Sequence, residues 1–268
     1  MSKRFNKYPY IVLTIVHTIV VIITFYKKRN KKQLFLLLMS NIGLCYHFEY
    51  IVVNLFQGYI YKPNVLKNKQ FDNILGAILS QAVYVPFTSI LLTGFHLGWK
   101  AKWGWSVYFA VIETLFLKLG IYRHQWWRTS YTFLLLPLFF YISDKWYEQL
   151  KGNNKVVQYI SMYYLNVVTN VNLLFILAYV GKIKFGFGTW KSHLKIAPIY
   201  SIVQSLFITW LCIVNTRYQK IISVTTGILL DAILIRARIL KSSILTQLPF
   251  HFIMAVLASC YRKLVNNE

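Results

Sequence analysis

Apolar residues run along this chain in long blocks, broken by short clusters of Lys, Arg, Trp and Tyr. A bilayer offers backbone groups no partners, so a spanning segment must be a helix of about 20 mostly apolar residues. The blocks predict helices over about 9–26, 33–60, 73–98, 104–121, 129–147, 156–181, 194–214, 218–235 and 239–261. The expected fold is an all-α, polytopic transmembrane bundle of about eight or nine spans, with 1–268 as a single integral membrane domain. The second and third blocks exceed one bilayer crossing, so they tilt or project past the hydrocarbon. Arg236, Arg238 and Lys241 leave little room for a loop between the last two blocks, and Pro249 interrupts the final one. One of these two is therefore open to a re-entrant or interfacial reading.

The first block follows Lys3, Arg4 and Lys7 in the manner of a signal peptide, but a basic knot at 27–32 ends it instead of a small-x-small cleavage site. It is expected to stay as an N-terminal anchor helix, 9–26. Composition agrees with the block pattern: 57% of residues are hydrophobic, 18% aromatic and 14% charged, a balance that a soluble globule does not sustain. Cys45, Cys212 and Cys260 fall singly in separate blocks, without the paired spacing of a zinc site or a disulfide framework, and read as packing residues.

The charge is +23, with 30 Lys and Arg against seven acids. Both faces of the expected bundle are basic, which leaves the orientation open. The partners this implies are anionic phospholipid headgroups, at about 1 kcal/mol per basic residue near the surface, together with other membrane subunits. The basic residues are scattered over short breaks with no basic domain, which argues against nucleic acid.

Where the few acids sit narrows the chemistry. Glu49, Glu113 and Asp231 lie inside apolar blocks and Asp144 near the end of another. A carboxylate in hydrocarbon costs several kcal/mol unless paired, hydrated or protonated, so these residues are the first site candidates. Polar residues at helical spacing offer partners: Gln81, Tyr84 and Thr88 on the third block, Asn166, Thr169 and Asn170 on the sixth, Tyr200 and Gln204 on the seventh. The competing reading is helix-to-helix bonding alone. His47 and Glu49 lie two positions apart, on nearly opposite sides of a helix, so they do not chelate one metal, whereas Asn41, Cys45 and Glu49 share a face. His17, His96, His193 and His251 read as packing residues. Asp144 and Glu148, one turn apart beside Lys145 and Lys151, read as a solvated interfacial cluster.

Trp99, Trp103 and Trp105 flank Lys100 and Lys102, and Tyr122, Trp126, Trp127 and Tyr131 flank Arg123, His124 and Arg128. Rings beside cations mark a membrane interface. The second cluster also admits a pocket in which Arg123 and Arg128 grip a phosphate and the indoles of Trp126 and Trp127 stack on a ligand.

A weak internal repeat organises the chain. Glu113-Thr-Leu-Phe-Leu-Lys118 and Asp231-Ala-Ile-Leu-Ile-Arg236 share an acid and a base five positions apart, each ahead of a block with a proline, Pro137 or Pro249. Asn41 and Asn170 each precede a tyrosine, Tyr50 or Tyr179, by nine residues. The expected copies are 33–147 and 156–261, four spans apart and hence of parallel topology, with Glu113 and Asp231 facing one another near the midplane.

No zinc-protease, nucleophile-elbow or phosphate-loop motif is present, nor the paired aspartate runs that hold magnesium on diphosphate substrates. No cofactor and no metal is expected, and no catalytic residue is assigned. The stretch from about 48 to 147 resembles an uncharacterised family of small multi-pass membrane proteins of spore-forming Gram-positive bacteria, through the proline-containing span with Pro86, the span with an isolated Glu113, and the Trp126-Trp127 segment. The resemblance implies a bacterial plasma-membrane location and no particular chemistry. Three functions compete: a small-solute or proton-coupled transporter using the intramembrane carboxylates, a non-catalytic subunit of a membrane complex, and a membrane-embedded lipid-modifying enzyme using Glu113 and the Arg123–Arg128 segment.

Overall fold

A computed structural model describes residues 6–214 and 217–266; Lys3 and Arg4 of the leader-like start lie outside the described residues. The described residues form nine long helices: α1 (Lys7–Lys27), α2 (Lys31–Leu55), α3 (Lys69–Gly94), α4 (Trp99–Lys118), α5 (Thr129–Lys151), α6 (Lys155–Tyr179), α7 (Trp190–Val214), α8 (Gln219–Arg236) and α9 (Ile244–Asn266). Six of them, α1, α2, α3, α6, α7 and α9, are long and apolar enough to cross a membrane. The other three carry more charge, as with Lys100, Lys102, Glu113 and Lys118 on α4. The molecule is therefore a multi-pass helical membrane protein.

Two blocks end differently from the expectation. The second is helical only to Leu55; its end leaves the helix and forms the strand β1 (Tyr59–Tyr61), which pairs antiparallel with β2 (Tyr122–His124). The last begins its helix at Ile244, because β4 (Leu240–Lys241) pairs with β3 (Lys184–Phe185). Pro249 does not interrupt α9, and α8 and α9 are each continuous. Strand pairing satisfies backbone groups that a span end would otherwise leave open.

The other three helices also expose apolar stripes. Val107, Val111 and Leu115 on α4, Leu134, Leu138 and Ile142 on α5, and Leu229 and Ile233 on α8 are exposed at four-residue spacing, while Ser106, Ser143 and Asp231 on the same helices are buried. Apolar outside and polar inside is the reverse of a soluble helix, and it leaves hydrogen bonds and close packing to hold the helices together.

The chain divides into two compact units, Met1–Asn154 and Lys155–Glu268. In the first, α2 packs on α3 and α5, α4 on α5, and α1 on α3. In the second, α6 packs on α7 and α9, and α8 on α9.

In the first unit Asn41 donates to Ser89 Oγ (3.2 Å) and Ser143 Oγ (2.9 Å), tying α2 to α3 and α5. In the second Asn166 donates to Thr209 Oγ1 (3.0 Å) and Asn170 to Gln204 Oε1 (2.9 Å), tying α6 to α7. The polar stripes thus bond helix to helix.

Asp72, in the first turn of α3, is buried and accepts the backbone N–H groups of Asn64, Val65 and Leu66 at 2.8–2.9 Å. It fixes the β1–α3 loop. Asp72→Ala is expected to cost about 2–3 kcal/mol by orphaning these donors, read as a fall in Tm together with faster amide exchange at 64–66.

Candidate functional site

The first unit holds a partly open cavity of about 320 Å³, at the lower end of small-molecule sites of about 300–1,000 Å³, with the exposed Leu138 and Ile142 at its margin. Its walls are aromatic, with Tyr59, Tyr61, Tyr84, Tyr108, Tyr122 and Trp127 prominent among them. Glu113, Thr132, Ser80 and Gln81 supply polar groups. Among the described residues, no Lys or Arg lines it, and Glu113 is its one acidic lining residue.

Backbone irregularity places these groups. Leu79–Tyr84, in the middle of α3, winds as a π-helix, and a second π-helical turn, Tyr50–Leu55, ends α2 directly after Glu49. Pro86 has no N–H to give to the carbonyl four residues back, which favours a wider turn ahead of it, and such turns gather at functional sites. Ser80, Gln81 and Tyr84, all on the first of these turns, line the cavity.

The β1–β2 ladder supplies another wall. Its register pairs Tyr59 with His124 and Tyr61 with Tyr122, while Ile60 pairs with Arg123. Alternation along a strand puts Tyr59, Tyr61, Tyr122 and His124 on one face and Arg123 on the other. Burial, and next the Glu49 carboxylate, hold the Tyr59 phenol well above its ordinary pKa, and burial does the same for Tyr61 and Tyr122. These rings remain neutral hydrogen-bond donors at any physiological pH.

Glu113 sits at the centre of a short network. His124 Nε2 lies 2.7 Å from its Oε1, and Thr132 Oγ1 donates to its Oε2 at 2.5 Å. The Trp127 indole N–H donates in turn to Thr132 Oγ1 at 2.9 Å. Each carboxylate oxygen has one partner, and a carboxylate can accept about four hydrogen bonds, so acceptor capacity remains for a ligand. Glu49, just behind the wall, accepts from Tyr59 Oη (2.6 Å) and Gln81 Nε2 (3.0 Å) through Oε2, while its buried Oε1 has no partner among the described residues.

Asp231 in the second unit is placed differently. It is 1% exposed; Tyr200 Oη donates to its Oδ1 at 2.7 Å and His251 Nε2 lies 2.7 Å from its Oδ2. Gln204 Nε2 meets His251 Nδ1 at 2.8 Å, and Asn170 donates to Gln204 Oε1. This ordered chain puts the ring proton on Nε2, facing the carboxylate. Each oxygen of Asp231, like each of Glu113, has one side-chain partner in its own unit, but Asp231 does not line the cavity.

The remaining candidates are scattered. Arg123 and Arg128 are exposed and do not line the cavity. Trp126 is exposed and donates to the Phe56 carbonyl at 2.8 Å, whereas its neighbour Trp127 is buried in the cavity wall. The expected solvated cluster at Asp144 is corrected: Asp144 bonds the buried Lys102 and Thr93 Oγ1 (2.6 Å), leaving Lys145 and Glu148 as the exposed pair at 2.8 Å. Lys102, read from sequence as interfacial, turns inward to it.

Reading the histidines as packing residues missed the His251–Asp231 pair. His17 is fully buried in a packing position beside Tyr84, Trp105, Tyr108 and Phe109, with Nδ1 2.8 Å from the Leu13 carbonyl and Nε2 without a partner among the described residues. No local spacing marks either role. A histidine on the inner face of a span is the only signal, and it becomes informative once its packing is known. No family model, curated protein or solved structure matches the chain.

Proposed function

We propose that this chain is a membrane-embedded solute-binding carrier whose site is the aromatic cavity of the first unit, with Glu113 as the polar contact. The observation that carries the reading is that Glu113 lines a cavity of ligand size and retains free acceptor capacity, although both of its oxygens are already oriented by His124 and Thr132. Donors that fix a carboxylate in advance lower the ordering cost of binding. The second reading, a structural role, is favoured for Asp231, which is 1% exposed, does not line the cavity and is held in a network with Tyr200, His251 and Gln204.

We also propose that α4, α5 and α8 cross the membrane, giving nine spans, and that the two units are copies of one four-helix element. Their exposed apolar stripes support the first point. In support of the second, helix–strand–helix–helix–strand–helix recurs as α2-β1-α3-α4-β2-α5 and α6-β3-α7-α8-β4-α9, with each strand pair antiparallel. Glu113 and Asp231 each lie nine residues ahead of the second strand, at Tyr122 and Leu240. A bacterial plasma membrane is the proposed location, on the resemblance of 48–147, and anionic headgroups are the proposed lipid contacts of the basic faces.

A thermal-shift screen of small solutes against the wild type and against Ile112→Trp, which fills the cavity, tests the carrier reading. Solutes that raise the wild-type Tm are expected to lose that effect in the variant, and the same solutes should exchange across proteoliposome membranes. A wild type stabilised by no solute, or hits indifferent to Ile112→Trp, would sink it.

A further inference from the structure

We infer that the occupant of the first unit's cavity is a monovalent organic cation with an apolar body, an alkyl- or arylammonium. The inference deepens the proposed carrier reading and rests on it. The charge balance of the cavity is opposite to that of the chain: 30 Lys and Arg stand against seven acids overall, yet among the described residues the cavity is lined by no Lys or Arg and by Glu113. An anion entering it would meet an acid and no counter-charge.

The walls select further. Tyrosine and tryptophan faces carry negative potential and attract cations, most strongly where water is excluded. Tyr59, Tyr61 and Tyr122 pack with ring centroids 5.0–5.5 Å apart, and Trp127 meets Tyr59 edge-on at 5.6 Å. These rings are held by one another and by the β1–β2 ladder, so they form a rigid aromatic corner with Glu113 close by. A bare metal ion fits poorly: hard cations take six or more oxygens, and no group of three His, Cys, Asp or Glu able to hold a metal occurs among the described residues. An ammonium with carbon substituents needs only one anionic contact and apolar surface for the rest.

The same ammonium chemistry occurs in free solutes and in zwitterionic lipid headgroups, and the lipid composition of the assay separates them. The test is calorimetric titration of the full-length protein in phosphatidylglycerol nanodiscs with benzyltrimethylammonium, with neutral N,N-dimethylbenzamide and with anionic benzylsulfonate. The cation is expected to bind about tenfold or more tightly than the amide, as its Coulombic attraction to Glu113 plus the ring faces imply, and the sulfonate not measurably. Glu113→Gln keeps the side-chain shape, removes the counter-charge and should weaken cation binding, narrowing its lead over the amide to what the ring faces supply. Because the comparison of three probes on the wild type needs no variant, poor folding of Glu113→Gln leaves it intact. Weaker benzyltrimethylammonium binding in phosphatidylcholine nanodiscs would support the inference with a headgroup as the competing occupant; unchanged binding would support it with a free solute. Equal binding of amide and cation would overturn the inference and leave the carrier reading standing. Binding of none of the three would also overturn the inference, and the solute screen with Ile112→Trp decides the carrier reading separately.

Discussion

Asp231→Ala is expected to cost the second unit about 3–5 kcal/mol, the usual effect of removing one member of a buried hydrogen-bonded pair. The substitution takes away the acceptor of both Tyr200 Oη and the His251 ring N–H, and among the described residues Asp231 is the partner of His251 Nε2. The disturbance passes on through Gln204 to Asn170, because each of these side chains is oriented by the next. Asp231→Asn keeps one acceptor oxygen and is expected to lose less than half as much. The measurement is the Tm of the detergent-solubilised protein, with tryptic accessibility of the 155–266 region as the local readout. A wild-type Tm for Asp231→Ala would mean that the network does not hold the unit together.

Gly76→Ala should be nearly as damaging, although in an exposed helix the same change stabilises by about 1 kcal/mol. Gly76 lies on α3 directly against β1, and a Cβ there would sit 2.4 Å from Tyr61 Cβ and 2.8 Å from its Cγ. These atoms are at the root of the side chain and cannot swing away. The strand cannot yield easily either, since the Tyr61 N–H is held by Asn73 Oδ1 at 2.7 Å and the strand is paired with β2. Relief requires moving Tyr61, a wall of the cavity, so a loss of about 2–3 kcal/mol from overpacking should come with weakened ligand binding. The expected result is a lower Tm and an affinity reduced beyond what Glu113→Gln causes. An unchanged or raised Tm would show that α3 and β1 are not in contact at this point. At Gly227 in the second unit an added Cβ would sit 2.4 Å from His251 Nδ1, the same demand.

What the sequence displayed most clearly is what depends on composition and period. Block length and flanking rings located the helices, and the cost of a carboxylate in hydrocarbon singled out Glu49, Glu113 and Asp231, each of which lies in a polar network in the structure. The partners were less legible. His124 reaches Glu113 because Tyr122–His124 is a strand, and within a segment that reads as an interfacial helix end its two-residue alternation is invisible. The same alternation turns Arg123 away, which is why a cationic grip on phosphate looked plausible from spacing alone. His251 meets Asp231 across two helices twenty residues apart, a contact that no local pattern encodes. Asp72 lies just ahead of the third block, where the sequence marks it with no pattern, and its role emerges only once the 62–68 loop folds back over it. The π-helical turn of α3, which decides which of its side chains enter the cavity, has Pro86 as its sequence signal, and the turn that ends α2 has no such mark.

The central claim is that a cation sits in the first unit with Glu113 as its counter-charge. A structure of the full-length protein with 4-bromobenzyl-trimethylammonium, phased for the bromine signal, tests it most directly. The account predicts one bromine peak inside the cavity bounded by Tyr59, Tyr61, Tyr122 and Trp127, with the ammonium density beside the Glu113 carboxylate. A peak at the lipid-facing surface, or a cavity filled by repacked side chains with no probe in it, would contradict the account.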